Sequence, residues 1–415
     1  MRHYQAVIIG GGSAGLAAGV ALKDNGIEDV CILEKECEAG GILEQCIHNG
    51  FGLQTFKEQL SGPAYAERFL NMAKERGVKI MLHTTVTALT RDRHVSFVNE
   101  EGYQTVSADA VILCVGCYER ARGAIDIAGT RPAGIYTAGQ AQRYLNIDGY
   151  MVGRKVFILG SGDIGLIMAR RMTLEGAKVY GVAEIMPYSN GLPRNIKQCL
   201  EDYDIPLYLS HTVTRTYGTD RLEKIELMEV GADRKPIPQT EMYFDVDTLL
   251  LSVGLIPENS LADNAGIPMD PAIKGPFVDE SYMTQADGIF ACGNGLHVHD
   301  LVDFVSLQAS RAAEGAARYI KEEAPGGELH HVKAGHAVGY VVPQSFHEDV
   351  QYNTEFFFRV KRPMDDVNLV IKDNIHEFRR VHKKHMIPSE MERMVITAKE
   401  LQGANGDLVF EIEEA

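Results

Sequence analysis

Positive charge is scarce in this chain: 41 Lys and Arg stand against 57 Asp and Glu, a net charge of −16 over 415 residues. Phosphate backbones and anionic bilayers need a basic face, so general nucleic-acid or membrane-surface binding is not the expected role. Small anions held by local glycine loops are untouched by that argument. Cysteines are few and scattered, at positions 31, 37, 46, 114, 117, 199 and 292. An odd, irregular set does not make a secreted disulfide framework. Only Cys114 and Cys117 form a CxxC, so no four-ligand zinc or iron–sulfur pattern is present and no metal site is expected. Long apolar runs are missing too. Val7 to Leu22 is largely apolar, but Gly10, Gly11, Gly12, Gly15 and Gly19 interrupt it. A membrane span needs about 20 apolar residues, and a signal peptide needs a basic start and a cleavage site. The run reads instead as strand, loop and helix, with no targeting or transmembrane segment. The cytoplasm is the default location.

What is present is ordinary globular composition, 45% hydrophobic and 24% charged, with abundant glycine at 41 residues. At roughly 150 residues per domain, two or three domains are expected. Residues 4–120 alternate strand and helix patterns: strand Val7–Ile9, helix Ser13–Asp24, strand Val30–Leu33, strand Val111–Cys114. Residues 154–250 repeat the same grammar: strand Val156–Leu159, helix Ile164–Gly176, strand Lys178–Ala183. Asp247–Val253 echoes Asp109–Val115, which marks an internal duplication of a nucleotide-binding unit. A helix is expected from about Phe304 to Glu322, then a linker at Glu323-Ala324-Pro325-Gly326-Gly327. Beyond it Val338–Val342, Glu355–Val360, Asn368–Ile371, Met394–Ala398 and Leu408–Ile412 are β-prone and suggest a small β-rich domain. The expected layout is residues 1–120 with 254–324 as one dinucleotide domain, 121–253 as a second, and 328–415 as the β-rich domain.

Two glycine loops carry the chemistry. Val7–Ile9 runs into Gly10-Gly11-Gly12-Ser13-Ala14-Gly15. In GxGxxG the first glycine permits a tight turn and the second a close approach of backbone to pyrophosphate. The third permits helix–strand packing, with the helix N-terminus facing the phosphates. Glu34 follows Gly15 by 19 residues, the place of an acid that bonds a ribose 2′-hydroxyl. The second loop is Gly160-Ser161-Gly162-Asp163-Ile164-Gly165, and Glu184 again follows the last glycine by 19 residues. An acid there favours NAD over NADP, because it repels a 2′-phosphate. Arg194 is the nearest argument for NADP, but Glu184 is better placed.

Two such loops in one chain resemble the pyridine nucleotide-disulfide oxidoreductase superfamily, which includes thioredoxin and glutathione reductases. Ala110-Val111-Ile112-Leu113-Cys114-Val115-Gly116 is similar to the crossover that leaves the FAD domain, and Thr248–Gly254 to its second copy. Gly288-Ile289-Phe290-Ala291-Cys292-Gly293-Asn294 is similar to the late FAD motif, with Asn294 in place of the usual Asp. An amide still accepts and donates hydrogen bonds. The resemblance therefore implies FAD held by Gly10, Gly12, Ser13, Ala14, Gly15, Glu34, Gly41, Gly116, Gly293 and Asn294. It implies NAD(H) held by Gly160, Gly162, Asp163, Ile164, Gly165 and Glu184.

A narrower resemblance rests on Gly116-Cys117-Tyr118-Glu119-Arg120-Ala121-Arg122-Gly123, on residues 129–139 and on Leu251–Asn259. These look like the flavin subunits of multi-subunit dehydrogenases: opine oxidases, hydrogen cyanide synthase, heterooligomeric proline dehydrogenases and sarcosine oxidases. The likeness is greatest to the oxidoreductase accompanying an anaerobic-type glycerol-3-phosphate dehydrogenase. It covers about residues 4–320.

Catalytic residues are not identified, and three are candidates. Where thioredoxin reductases keep a CxxC, Tyr136-Thr137-Ala138-Gly139-Gln140 has no cysteine. Where glutathione reductases keep CxxxxC, Gly40–Cys46 has only Cys46. Cys46 is either a single redox thiol or a small apolar residue. Cys114 and Cys117 read as packing residues. His297 and His299 flank Val298 and share a face of an extended segment. They are expected to be surface or loop residues, with hydrogen bonding or proton transfer to flavin as the functional option. His330, His331 and His336 are expected in the linker. The fold expected is α/β, with two Rossmann-like three-layer domains, the first discontinuous, and a β-rich C-terminal domain. The function expected is electron transfer between NAD(H) and FAD within an oligomeric complex, the flavin serving a partner dehydrogenase. Glycerol 3-phosphate is the leading substrate. A stand-alone NADH oxidase or peroxidase using Cys46 and a non-catalytic nucleotide-binding scaffold are the alternatives.

Overall fold

The computed structural model describes residues 1–415. The chain forms two compact units, Met1–Cys117 with Pro257–Ala415, and Tyr118–Ile256.

In the first unit a sheet is built around Arg2–Ile9. Val30–Leu33 and Gly102–Leu113 flank it in parallel, with Lys79–Met81 beyond Val30–Leu33. All four residues of Val30–Leu33 are buried, as are Ala6–Ile9, which is why these strands read as continuous apolar runs. Gly102–Leu113 is long enough to serve two partners. Its first half pairs antiparallel with His94–Asn99, and its last residues pair parallel with Ile289–Ala291. Ile9 is aligned with Leu33 and Leu113, and Leu113 with Ala291. Four strands therefore stop at one level, and the segments after them converge at the carboxyl edge of the sheet, where α/β folds bind ligands. The helix Ser13–Asp24 buries Ala14–Leu22 without a break, consistent with its run of small and apolar residues.

The second unit repeats this plan. Its parallel sheet runs Ile135–Thr137, Thr248–Leu251, Lys155–Leu159, Lys178–Glu184, Leu207–Leu209. A four-stranded sheet of Ala128–Gly129, His211–Gly218, Leu222–Glu229 and Met242–Phe244 covers one face through Phe157, Leu159, Leu227 and Leu249. The helix Asp163–Leu174 lies over the other face, packing Leu166, Met168 and Met172 with Val156 and Ile158.

The C-terminal segment is β-rich, with sheets of five and three strands around Phe346, Phe356, Phe358 and Phe410. Two expectations are corrected here, and one strand is added. The strand placed at Met394–Ala398 is Glu392–Ile396. Thr397 ends it by opening a capping box with Glu400 for a short helix, Ala398–Gln402. His330 and His331 lie in the strand Leu329–Ala334, not in a linker, while His336 sits in the turn that follows. The strand Glu377–Met386 is absent from the sequence reading, because its Arg, Lys and His residues give no apolar alternation. It is the exposed edge of the five-stranded sheet, where charge suits a strand that must not pair further.

Candidate functional site

The N-terminal glycine loop is shaped by close contacts that only glycine permits. Gly10 has φ +103°, and a Cβ there would lie 2.3 Å from the Cys114 carbonyl oxygen. At Gly15 a Cβ would lie 1.9 Å from the Gly10 carbonyl oxygen, so the helix starts tight against the turn. Gly41 would place a Cβ 3.0 Å from the Gly12 Cα, and Gly293 one 3.1 Å from the Ala14 Cβ. Gly12, Ala14, Gly41 and Gly293 thus come together around the start of the helix, with Ser13 as its first residue and Asn294 next to Gly293. Gly116 has open space where its side chain would be. Glu34 is buried; the Gly11 amide donates to its Oε2 at 2.6 Å and the Glu36 amide to its Oε1 at 2.9 Å.

The second loop reproduces this wiring. Gly160 has φ +95°, and a Cβ there would lie 2.1 Å from the Ser252 carbonyl oxygen. Gly162 and Gly165 also face Ser252, whose hydroxyl accepts the Gly165 amide at 3.1 Å. Glu184 is buried. Its Oε2 accepts the Ser161 amide and hydroxyl at 3.1 and 2.6 Å, and its Oε1 the Met186 amide at 3.0 Å. Both acids are therefore held by the loop amide behind the first glycine and by the amide two residues on. Asp163 accepts from the Leu192 amide and the Asn195 side chain, tying the helix start to the following loop. Ile164 follows in the first turn. Arg194 is on the short helix Pro193–Cys199.

His297 and His299 lie in a loop, as expected, but not at the surface: they are 1% and 8% exposed. Gln308 links them to the late glycine motif. The Gly293 amide donates to Gln308 Oε1 at 2.8 Å, which identifies that atom as the oxygen. His299 Nε2 lies 3.0 Å from the same oxygen and so donates; His297 Nε2 lies 2.7 Å from the Gln308 amide nitrogen and so accepts. Burial pushes both rings below the ordinary histidine range, His299 to about 4, so both are neutral. Neutral tautomers then put a proton on Nδ1 of His297 and a lone pair on Nδ1 of His299. Both Nδ1 atoms are buried without a protein partner. A buried pair consisting of one orphan donor and one orphan acceptor costs about 1–3 kcal/mol per group unless something satisfies it.

The C-terminal segment holds this histidine loop. Phe356 and Phe358 point into the aromatic core, so alternation turns Phe357 the other way, onto His297 and His299 at ring separations of 5.5 and 5.3 Å. Arg359 donates to the Val298 carbonyl and pairs with Asp300, whose other oxygen accepts the Met391 amide at 2.6 Å. Asp303, also buried, accepts the amides of Gly52, Gln54 and Thr55. Sequence reasoning missed Gln308, Asp303, Arg359 and Phe357. The one available signal was the density of polar residues in His297-Val298-His299-Asp300.

The thiols are poorly placed for redox work. Cys46 is half-buried, and desolvation pushes its thiol up to about 12, against nucleophilic use. Cys114 and Cys117 form no disulfide. Instead Cys114 touches Cys292, 3.4 Å away between neighbouring strand ends, and burial holds the Cys114 thiol protonated.

The paired cradles define the class: two dinucleotide-binding domains, the donors and glycines of each fitting a pyrophosphate and a ribose. The profile of the pyridine nucleotide-disulphide oxidoreductase family matches residues 4–316, and the chain belongs to that family. It is an FAD-dependent NAD(P)H oxidoreductase. Thioredoxin reductase from T. acidophilum shares the fold, with a TM-score of 0.62 at 23% identity over 76% of this chain and 98% of that one. Among sequence relatives, hydrogen cyanide synthase subunit HcnB of Pseudomonas protegens is 23% identical over 74% of this chain and 67% of its own length. An opine oxidase subunit from Agrobacterium tumefaciens is 26% identical over 70% of this chain and 61% of its own. The matches thus span about two thirds of those relatives. No helix is long and apolar enough to cross a membrane.

Proposed function

We propose that this chain is the electron-transfer subunit of a metabolite dehydrogenase complex, exchanging electrons between NAD(H) and FAD and between FAD and a partner chain. The observation that carries the reading is the duplicated cradle combined with the cysteine positions: two equivalent nucleotide sites, and no thiol pair where disulfide-reducing relatives keep one. When bound, the flavin supplies two-electron exchange with the nicotinamide. The chain's own residues bind and orient. Gly10, Gly12, Ser13, Ala14 and Gly15 face the FAD pyrophosphate, Glu34 takes the ribose, and Gly41, Gly116, Gly293 and Asn294 line the remainder. Gly160, Gly162, Asp163, Ile164 and Gly165 do the same for the nicotinamide dinucleotide, and the buried Glu184 selects NAD over NADP.

We place His297 and His299 at the flavin. Their orphan donor and acceptor match the alternating acceptors and donor of a flavin pyrimidine edge, and the C-terminal segment fixes the two rings in register. The oxidised metabolite we name is glycerol 3-phosphate, on the resemblance of residues 116–123, 129–139 and 251–259 to the corresponding flavin subunits. The names of two relatives, both of them subunits, support a role within an assembly. Co-purification of the tagged chain from its native host, followed by assay of the recovered complex with glycerol 3-phosphate, tests the proposal. Recovery of a dehydrogenase chain and substrate-dependent flavin reduction are expected. Full-rate oxidation of the metabolite by the isolated chain would contradict it.

A further inference from the structure

Asp279, Glu280 and His347, none of them part of a glycine loop, bring three ligand atoms within 4.8 Å of one another. The two acids precede the strand Ile289–Ala291; the histidine ends the strand Ser345–His347. The Glu280 side chain is wholly buried. His347 Nδ1 lies 3.2 and 3.3 Å from its two oxygens, and the His347 amide donates to Oε2 at 3.1 Å. Asp279 is also buried. Its Oδ1 accepts the amides of Ser281 and Met283, at 2.8 and 3.0 Å, while no donor reaches Oδ2. Neither acid has a lysine or arginine partner. Two adjacent buried carboxylates thus face one imidazole. Asp279 and His347 line a cavity of about 570 Å³, which Asp270, His331 and Gln344 also border.

We propose that Asp279, Glu280 and His347 bind a divalent first-row metal ion, with zinc as the fitting probe, and that this ion fastens the C-terminal segment to the FAD domain. Zinc takes nitrogen and carboxylate oxygen at about 2.0–2.2 Å, which sets neighbouring ligands of a tetrahedron roughly 3.3 Å apart. The His347–Glu280 pair already has that spacing, and an Asp279 oxygen lies within 4.8 Å of both, so that its side chain need move only a little to join them. An imidazole ligand disfavours calcium and magnesium. Two carboxylates balance the double charge, His347 gives up its Nδ1 proton, and the cavity supplies water for the fourth position. His347 stands 67 positions after Glu280, across the linker, so no sequence spacing announces the set.

The test uses the FAD-loaded protein, stripped with EDTA and titrated with zinc chloride by calorimetry, with cobalt(II) as a visible-absorbance probe. One zinc per chain and a raised melting temperature are expected. His347→Gln and Glu280→Gln are each expected to weaken zinc binding on the order of 100-fold, with the flavin spectrum unchanged. Equal affinity in both variants, or no binding at one equivalent, overturns the proposal. If both variants fail to fold, the wild type decides. A melting temperature indifferent to EDTA and to restored zinc means that His347 and Glu280 form an ion pair alone, and the proposal falls.

Discussion

Glu184 and His299 are the residues on which single substitutions read most directly. Glu184 is held by Ser161 and the Met186 amide, so its charge is fixed and cannot swing away from a 2′-phosphate. If Glu184 reads the ribose as proposed, Glu184→Gln is expected to shift the ratio of NADH to NADPH use about ten- to a hundredfold toward NADPH, the worth of one charged hydrogen bond of roughly 1.5–3 kcal/mol. The ratio of flavin-reduction rates with the two nucleotides measures it; an unchanged ratio would assign the ribose to another group, Arg194 first. For His299 the prediction concerns pH. Its folded value of about 4 lies below the ordinary 6.5. The unfolded chain therefore takes up a proton near pH 6.5 that the folded chain refuses until about pH 4. The stabilisation is full above the upper value and is lost as pH falls through the lower one, on the order of 3 kcal/mol for one buried histidine. His299→Gln should flatten the fall of melting temperature between these pH values, followed by circular dichroism. A slope identical to wild type would show that the ring is already charged in the folded protein.

Among elements, the glycine loop and the C-terminal strand Thr354–Val360 make contrasting demands. Gly10→Ala puts a methyl group 2.3 Å from a backbone oxygen, so the loop itself must shift. Gly116→Ala meets open space and only the strain of φ +73°, about 1 kcal/mol. The first variant is expected to purify without flavin or not to fold, and the second to fold with weakened flavin; the ratio of flavin to protein absorbance separates them. Normal flavin content in Gly10→Ala would refute the described loop geometry. Phe357→Ala removes a wholly buried ring, a loss of about 3–5 kcal/mol, and also frees His297 and His299. A shifted flavin absorbance spectrum is expected alongside the lower melting temperature; a lower melting temperature alone would remove the histidines from the flavin. The parallel strands and the helix starts were legible in the sequence because burial on both faces leaves continuous apolar runs ending in glycine. That Glu34 and Glu184 sit against the glycine loops was legible through their spacing. The histidine loop was not, because its burial is imposed by Phe357 and Arg359, about 60 residues later in the chain. The Glu377–Met386 strand was hidden for the opposite reason, since an edge strand keeps its charges in water.

For the whole molecule, the account rests on electrons entering and leaving one flavin without a thiol relay. The positions at which relatives keep redox cysteine pairs hold Tyr136–Gln140 and the lone Cys46, so thiol titration before and after NADH reduction should show no gain of two thiols. A gain of two would restore a disulfide mechanism, with Cys114 and Cys292 the first pair to examine. The most direct test of the central claim is anaerobic stopped-flow mixing of the purified chain with NADH, following flavin absorbance. The account predicts rapid bleaching of one FAD per chain, faster with NADH than with NADPH, and recovery of the oxidised spectrum on adding an electron acceptor. Flavin that stays oxidised in the presence of saturating NADH would contradict it and leave the two nucleotide sites as a scaffold.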